Sequence, residues 1–255
     1  MAFAMTIASV LRLFERAPEP AHLDVAYSGE VFRIAVRRSA KSRRFTLRIR
    51  AASRDALLTM PQRASMKAAR EFAERHAAWI GVRIARLPRP VAFVAGAHAP
   101  LRGVDHMIVH VSRARGVVWV AQGERGPILC VAGEAPHVSR RVADFLKREA
   151  RKDIEAAVTR YARALNVRPK GLAVRDTVSR WGSCSSEGRL NFSWRLILAP
   201  PHVLDYLAAH EVAHMVHLNH SPKFWSLLRK ICPETDRAEA WLKTHGSSLH
   251  RYGAE

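Results

Sequence analysis

The chain is predicted to be α+β, with a β-rich N-terminal half carrying one long helix and a C-terminal helix-and-sheet half. Three observations predict this. From about Leu23 to Arg50 the apolar residues recur every second position. From Met66 to Arg86, and again from Pro136 to about Leu165, they recur at helical spacing. The last third mixes short β-rich runs with an Ala-rich helical stretch. The expected organisation is a tail over 1–20, a β-rich domain over 21–136 and a second domain over 137–255.

The first strands alternate strictly. In "EVFRIAVR" Phe32, Ile34 and Val36 alternate with Arg33 and Arg37. In "RFTLRIR" Phe45, Leu47 and Ile49 alternate with Arg44, Thr46, Arg48 and Arg50, and the polar "RSAKS" links the two runs. Beyond Pro61, residues Met66, Ala69, Phe72, Ala73, Trp79, Ile80 and Ile84 form one apolar stripe behind a Ser65 N-cap, until "LPRP" stops the helix. Short strands follow at "VAFV", "HMIVHV", "GVVWVA" and "PILCVA". The second long helix buries Val142, Phe145, Leu146, Ile154, Val158, Tyr161 and Leu165. Strands at "LAVRD" and "RLNFSWRLIL" then lead to a histidine-bearing helix and two closing helices.

Composition excludes wholesale disorder, since 48% of residues are hydrophobic and 25% charged. The charge balance is unusual. Forty-two Lys and Arg against 22 Asp and Glu give a formal +20, a field that attracts nucleic acid, nucleotides or anionic lipid unless it only reflects a general preference for Arg. Three cysteines, Cys130, Cys184 and Cys232, form no C-x-x-C pair. A disulfide framework and a zinc ribbon are both disfavoured, and a reducing, cytoplasmic setting is expected. The apolar N-terminal run is interrupted by Arg12 and preceded by no basic residue, so neither a signal peptide nor a membrane span is expected.

The chemistry is concentrated in "LAAHEVAHMVHLNHSPKFW". His210 and His214 lie four apart, on one face of a helix that Pro201 opens and that Ala208, Ala209 and Ala213 favour. Two imidazoles one turn apart can share a zinc ion, and Glu211 beside them is free to take a proton from water that the ion acidifies. A catalytic zinc needs a third protein ligand. His217 would follow the next helical turn, too far along the axis. His220 lies beyond Asn219, where a left-handed helix end can turn the chain back toward the ion, so His220 is the expected third ligand. The spacing matches the metzincin pattern H-E-x-x-H-x-x-G-x-x-H, but His217 stands at its glycine and no methionine follows Met215, so that assignment fails. His217 either supports the site from behind, donates to an oxyanion, or simply packs.

The stretch "RDTVSRWGSCSSEGRLNFSWRLILAPPHVLDYLAAHEVAHMVHLNHSPKFW", with the weaker "VRRSAKSRRFTLRIR", resembles the YgjP-like metallopeptidase-domain family, relatives of the SprT-like zinc proteases. The resemblance runs from about Tyr27 to Tyr252 and is loose from Val91 to Ala132, where the middle segment looks longer than the family's spacer. It implies a zincin-like C-terminal domain holding one Zn2+ on His210, His214 and His220, with Glu211 as the base and a peptide or protein as substrate.

In such a site the strand beside the metal cleft can pair with an extended peptide. Trp181, Gly182 and Ser183 are then expected at the cleft mouth, with Arg180 or Asn191 contacting a substrate oxygen. Trp194 and Cys184 are expected to pack, and Phe224 and Trp225 to brace the loop presenting His220. Two other functions stay open: hydrolysis of nucleotide phosphoanhydrides, with Arg180, Arg189 and Arg195 on the phosphates, and nucleic-acid binding by the acid-free basic run from Arg33 to Arg50.

Overall fold

The computed structural model describes residues 21–50, 53–112 and 117–253. The N-terminal tail expected over 1–20 lies outside them. The described chain is mixed α+β, with six α-helices and three mixed sheets among the described residues. No described helix is long and apolar enough to cross a membrane.

The first compact unit ends at Leu87 and the second begins at Pro88. In the first, β1 (His22–Tyr27), β2 (Glu30–Ser39), β3 (Thr46–Arg50) and β4 (Asp55–Pro61) make a sheet in the order β1-β2-β4-β3. β1 and β2 form a hairpin, β2 runs parallel to β4, and β3 is an antiparallel edge. The two alternating runs around "RSAKS" are therefore separated by β4, which sequence periodicity did not single out. The pleat sends Leu23, Val25, Phe32, Ile34, Ala56, Leu58 and Met60 inward. They meet Ala69, Ala73, Ala77 and Ile80 of two helices, α1 (Met66–Arg75) and α2 (Ala77–Ala85).

The single long helix expected over 66–86 is broken at His76. Its ring Nδ1 lies 2.8 Å from the Phe72 carbonyl, where its own main-chain N–H would bond in a regular turn. That N–H goes to the Ala73 carbonyl instead.

The second unit holds two further sheets. β5 (His98–Leu101), β6 (Val104–Val111), β7 (Val118–Gly123) and β8 (Gly126–Ala132) pair in the order β5-β6-β8-β7. β9 (Gly171–Arg175), β10 (Gly182–Cys184) and β11 (Arg189–Ser193) pair in the order β10-β11-β9. Between them runs α3 (Val138–Ala164), whose Val142, Phe145, Leu146, Ala150 and Ile154 are buried at helical spacing.

One core joins Ile108, Leu129 and Val131 of the first of these sheets to α3, to Leu190 and Phe192 of β11, and to three C-terminal helices: α4 (Pro201–Ala213), α5 (Pro222–Ile231) and α6 (Thr235–His245). The expected boundary at 136/137 falls inside this unit. The strands from 98 to 132 bury their apolar face on α3 and have no separate core. "VAFV" makes only the single bridge Val91–Tyr252. The strand expected over 189–198 stops at Ser193, and residues Trp194–Leu198 coil into a buried 3-10 turn.

That turn and the β5–β6 hairpin fix where α4 starts. Arg102 and Gly103 at the hairpin tip both have positive φ, 53° and 76°. A Cβ on Gly103 would lie 2.9 Å from Pro200 Cα, so only glycine lets the tip seat against the residue before α4. The Arg102 N–H bonds to the Ile197 carbonyl at 2.7 Å, and its guanidinium spans Glu149 and Asp153 of α3.

Candidate metal centre

Two turns of α4 present His210 and Glu211 and end at His214. Pro201 occupies the first turn, where its missing N–H costs nothing, and Val203, Leu204, Leu207, Ala208 and Val212 anchor the helix in the core. The helix stops earlier than expected. His214 is its C-cap, and the N–H groups of Met215 and Val216 turn back to the Val212 and Ala213 carbonyls, each at 3.0 Å. Asn219 is not in the left-handed region. The chain leaves the helix at His214, five residues before the turn expected at Asn219. The His217 N–H also bonds to the Ala213 carbonyl at 3.0 Å, so a last loose turn runs to His217 before the chain departs.

The path of the chain beyond that turn brings three of the four histidines together. His210 Nε2 lies 3.2 Å from His214 Nε2 and 3.1 Å from His220 Nε2, and the ligand atoms of all three fall within 4.8 Å of one another. Three nitrogens around a tetrahedral ion at about 2.0–2.1 Å stand roughly 3.3 Å apart, so the spacing fits a metal ion. It fits hydrogen bonding poorly: His210 Nε2 faces two imidazole nitrogens and carries at most one proton.

The outer nitrogens are oriented for the same role. His214 Nδ1–H donates to the His217 carbonyl at 3.1 Å, and His210 Nδ1–H points to the Tyr206 hydroxyl oxygen at 3.4 Å. Each leaves Nε2 with its lone pair inward. Burial, followed by the nearness of His214 and His220, pushes His210 down to about 3, so it stays in the neutral, ligating form.

Phe224 supports all three rings. It is fully buried, stacks on His214 with centroids 4.6 Å apart, and meets His210 and His220 edge-on at 5.0 and 4.9 Å. Ser221 caps α5 by accepting the Phe224 N–H, so the helix start that fixes Phe224 immediately follows His220. Trp225 lies 5.7 Å from the exposed His220 ring.

Glu211 is 5% exposed, and its carboxylate lies against Gly182 of β10. A Cβ on Gly182 would stand 2.5 Å from Glu211 Oε1 and 2.8 Å from its Cγ, so the glycine makes room for the carboxylate. Burial pushes Glu211 up to about 7, while the Arg180 charge pulls it down. Cys184, two residues on, is held protonated by burial and then by the Glu211 charge, which disfavours a nucleophilic thiolate.

Most of the other expected substrate residues lie along β10, its lead-in and the paired strand β11. Exposed Arg180 acts on Glu211 through its charge. Trp181 is half-buried and stacks on His250 at 4.9 Å, and its carbonyl accepts the Ser193 N–H. Ser183 sits on the edge strand β10, and Asn191 lies opposite it on the central strand. His217 contributes its carbonyl to His214. Two of the arginines considered for phosphate are already engaged. Arg195 is buried and bonds Asp176 and the Leu249 and Tyr252 carbonyls, and Arg189 pairs with Glu187. The sequence reading missed Tyr206, although its position four residues before His210 was the available signal.

The YgjP-like family, described as "YgjP-like, metallopeptidase domain", matches residues 43–245. Among curated proteins none matches the chain. Among solved structures, the crystal structure of the metallopeptidase zymogen of Pyrococcus abyssi abylysin is similar at 20% identity over 36% of this chain and 92% of that one, with a TM-score of 0.33. A likeness that low carries no weight for fold or function.

Proposed function

The chain belongs to the YgjP-like metallopeptidase-domain family, and on that premise we propose that it is a zinc-dependent peptidase in which His210, His214 and His220 hold the ion and Glu211 is the general base. The observation that carries this reading is the convergence of three Nε2 atoms beside a buried carboxylate on the same helix. Zinc, favoured by three imidazole ligands, supplies a Lewis acid that acidifies water and polarises a carbonyl.

Glu211, raised to about 7, takes the proton of the attacking water and passes it to the leaving amine. Gly182 lets that carboxylate sit against β10, and the unpaired outer edge of β10 offers main-chain groups to an extended peptide. Arg180, exposed and close enough to Glu211 for its charge to act on it, or Asn191 on the neighbouring strand, is the residue we assign to a substrate oxygen. Nucleotide hydrolysis is the weaker reading, because Arg195 is buried against Asp176 and Arg189 already pairs with the nearby Glu187. Expression of Glu211→Gln tests the assignment: it keeps one zinc per chain and loses cleavage of casein and of a peptide panel by roughly 10²–10⁴-fold. Undiminished cleavage rules Glu211 out as the base.

A further inference from the structure

The basic run of the first unit is not uniformly available, and its internal partners show where its charge is left over. Arg50 pairs with Asp55. Arg33 contacts His22 and stands opposite Asp24 in the β1–β2 register. Arg38 donates to the Gln62 and Ala64 carbonyls at 2.8 and 2.7 Å. Lys41, Arg43, Arg44, Arg48 and Arg63 are exposed, and no ion pair among the described residues involves them.

The topology gathers these residues at one end of the sheet. β2 and β4 are parallel and finish side by side, with Ser39 opposite Pro61. β3 begins at the same end, with Thr46 opposite Thr59. The loops leaving this end, together with the strand residues that flank them, cover 37–48 and 61–65, and neither segment contains an Asp or Glu. α1 also starts here behind its Ser65 cap, with no acidic residue in its first turn, so its positive end adds to the same field.

We propose that this end of the N-terminal unit, formed by Lys41, Arg43, Arg44, Arg48 and Arg63, binds the phosphate backbone of duplex nucleic acid without reading its sequence. The chemistry selects that occupant. The exposed large hydrophobic residues of this unit, Tyr27, Val31, Trp79 and Val82, all lie outside 37–48 and 61–65. A protein partner needs an apolar anchor at the centre of its contact and a bilayer needs an inserting group, whereas a phosphate backbone needs only charge. Phe45 is stacked on Phe72 at 5.2 Å, which leaves no exposed ring for single-stranded bases. Arginine, four of the five residues, is the side chain best matched to phosphate oxygens.

The test is fluorescence anisotropy of the full chain with a labelled duplex of about 20 base pairs at two salt concentrations. Four phosphate contacts predict a slope of log K on log salt of about −3.6, so that affinity falls about a hundredfold between 50 and 200 mM salt. The triple variant Lys41→Ala, Arg43→Ala, Arg44→Ala loses most of that slope, while Arg43→Lys with Arg44→Lys keeps it. Removing three charges from α3 instead (Lys147→Ala, Arg148→Ala, Lys152→Ala) leaves it unchanged. Equal loss in both triple variants makes the binding a property of net charge and overturns the proposal. So does the absence of binding at 50 mM salt, or tighter binding to phosphatidylserine vesicles or polyglutamate than to the duplex.

Discussion

Replacing Gly182 by alanine is the sharpest perturbation of the proposed base. The added methyl would stand 2.5 Å from Glu211 Oε1, 2.8 Å from Cγ and 2.9 Å from Cδ. Comfortable carbon contacts lie at about 3.5–4.0 Å, so the overlap is roughly 0.6–1 Å and involves the stem of the side chain as well as its tip. Glu211 is only 5% exposed, so its side chain is closely surrounded. α4 cannot retreat either, because its start is pinned by the Gly103–Pro200 approach and its apolar face is buried in the core.

The carboxylate must therefore move by about 1 Å, or β10 must lift. Overpacking of this kind costs about 1–3 kcal/mol, equivalent to a melting shift of roughly 2–4 °C per kcal/mol in a chain of this size. A base misplaced by 1 Å costs about 10²-fold in rate. We expect kcat on a fluorogenic peptide to fall about a hundredfold while zinc content, measured by mass spectrometry, stays at one per chain. Full activity in Gly182→Ala refutes the placement of the base. Loss of zinc together with activity refutes the separation of base from ligands.

Three further outcomes follow from the same geometry. His220→Ala removes a nitrogen 3.1 Å from His210 Nε2 and abolishes tight zinc binding, whereas His217→Ala keeps the carbonyl that orients His214 and retains the metal; chelator competition distinguishes them. Tyr206→Phe deletes the acceptor facing His210 Nδ1 and weakens zinc affinity by about 10–100-fold in the same titration, with the fold intact by circular dichroism. Burial pushes the Asp176 carboxyl up, but the Arg195 hydrogen bond and charge outweigh it and hold the group below the usual carboxylate range. A carboxyl lowered on folding stabilises above its unfolded pKa, about 3.9, and loses that contribution as pH falls through the folded value. Acid unfolding of Asp176→Asn therefore has a shallower dependence below about pH 4 than the parent, and identical profiles contradict the pairing.

Local periodicity carried much of the fold. Alternation gave β2 and β3, and the apolar stripe of α3 matches its buried positions residue for residue at Val142, Phe145, Leu146 and Ile154. What periodicity cannot carry is partnership. It could not show that β4 inserts between β2 and β3, nor that the strands from 98 to 132 share one core with α3 and the C-terminal elements. Side chains that bond to nearby carbonyls were equally hidden: His76 breaks one helix this way, and at His214 a ring bond to the His217 carbonyl accompanies a helix end earlier than its alanines suggest.

The candidate site was legible in its ligand types and spacing. The route by which the chain returns His220 was not, because the helix ends at His214 in a loose turn that runs to His217, and Asn219 is not left-handed. The glycine at 182 was readable as a turn residue; that it clears space for a carboxylate emerged only from packing.

The most direct measurement is X-ray absorption at the zinc edge on the purified full chain. Coordination by three imidazole nitrogens at about 2.0–2.1 Å plus one light atom is the predicted result, with one imidazole lost in His220→Ala. A sulfur ligand from Cys184, fewer than three imidazoles in the parent, or an unaltered shell in His220→Ala contradicts it.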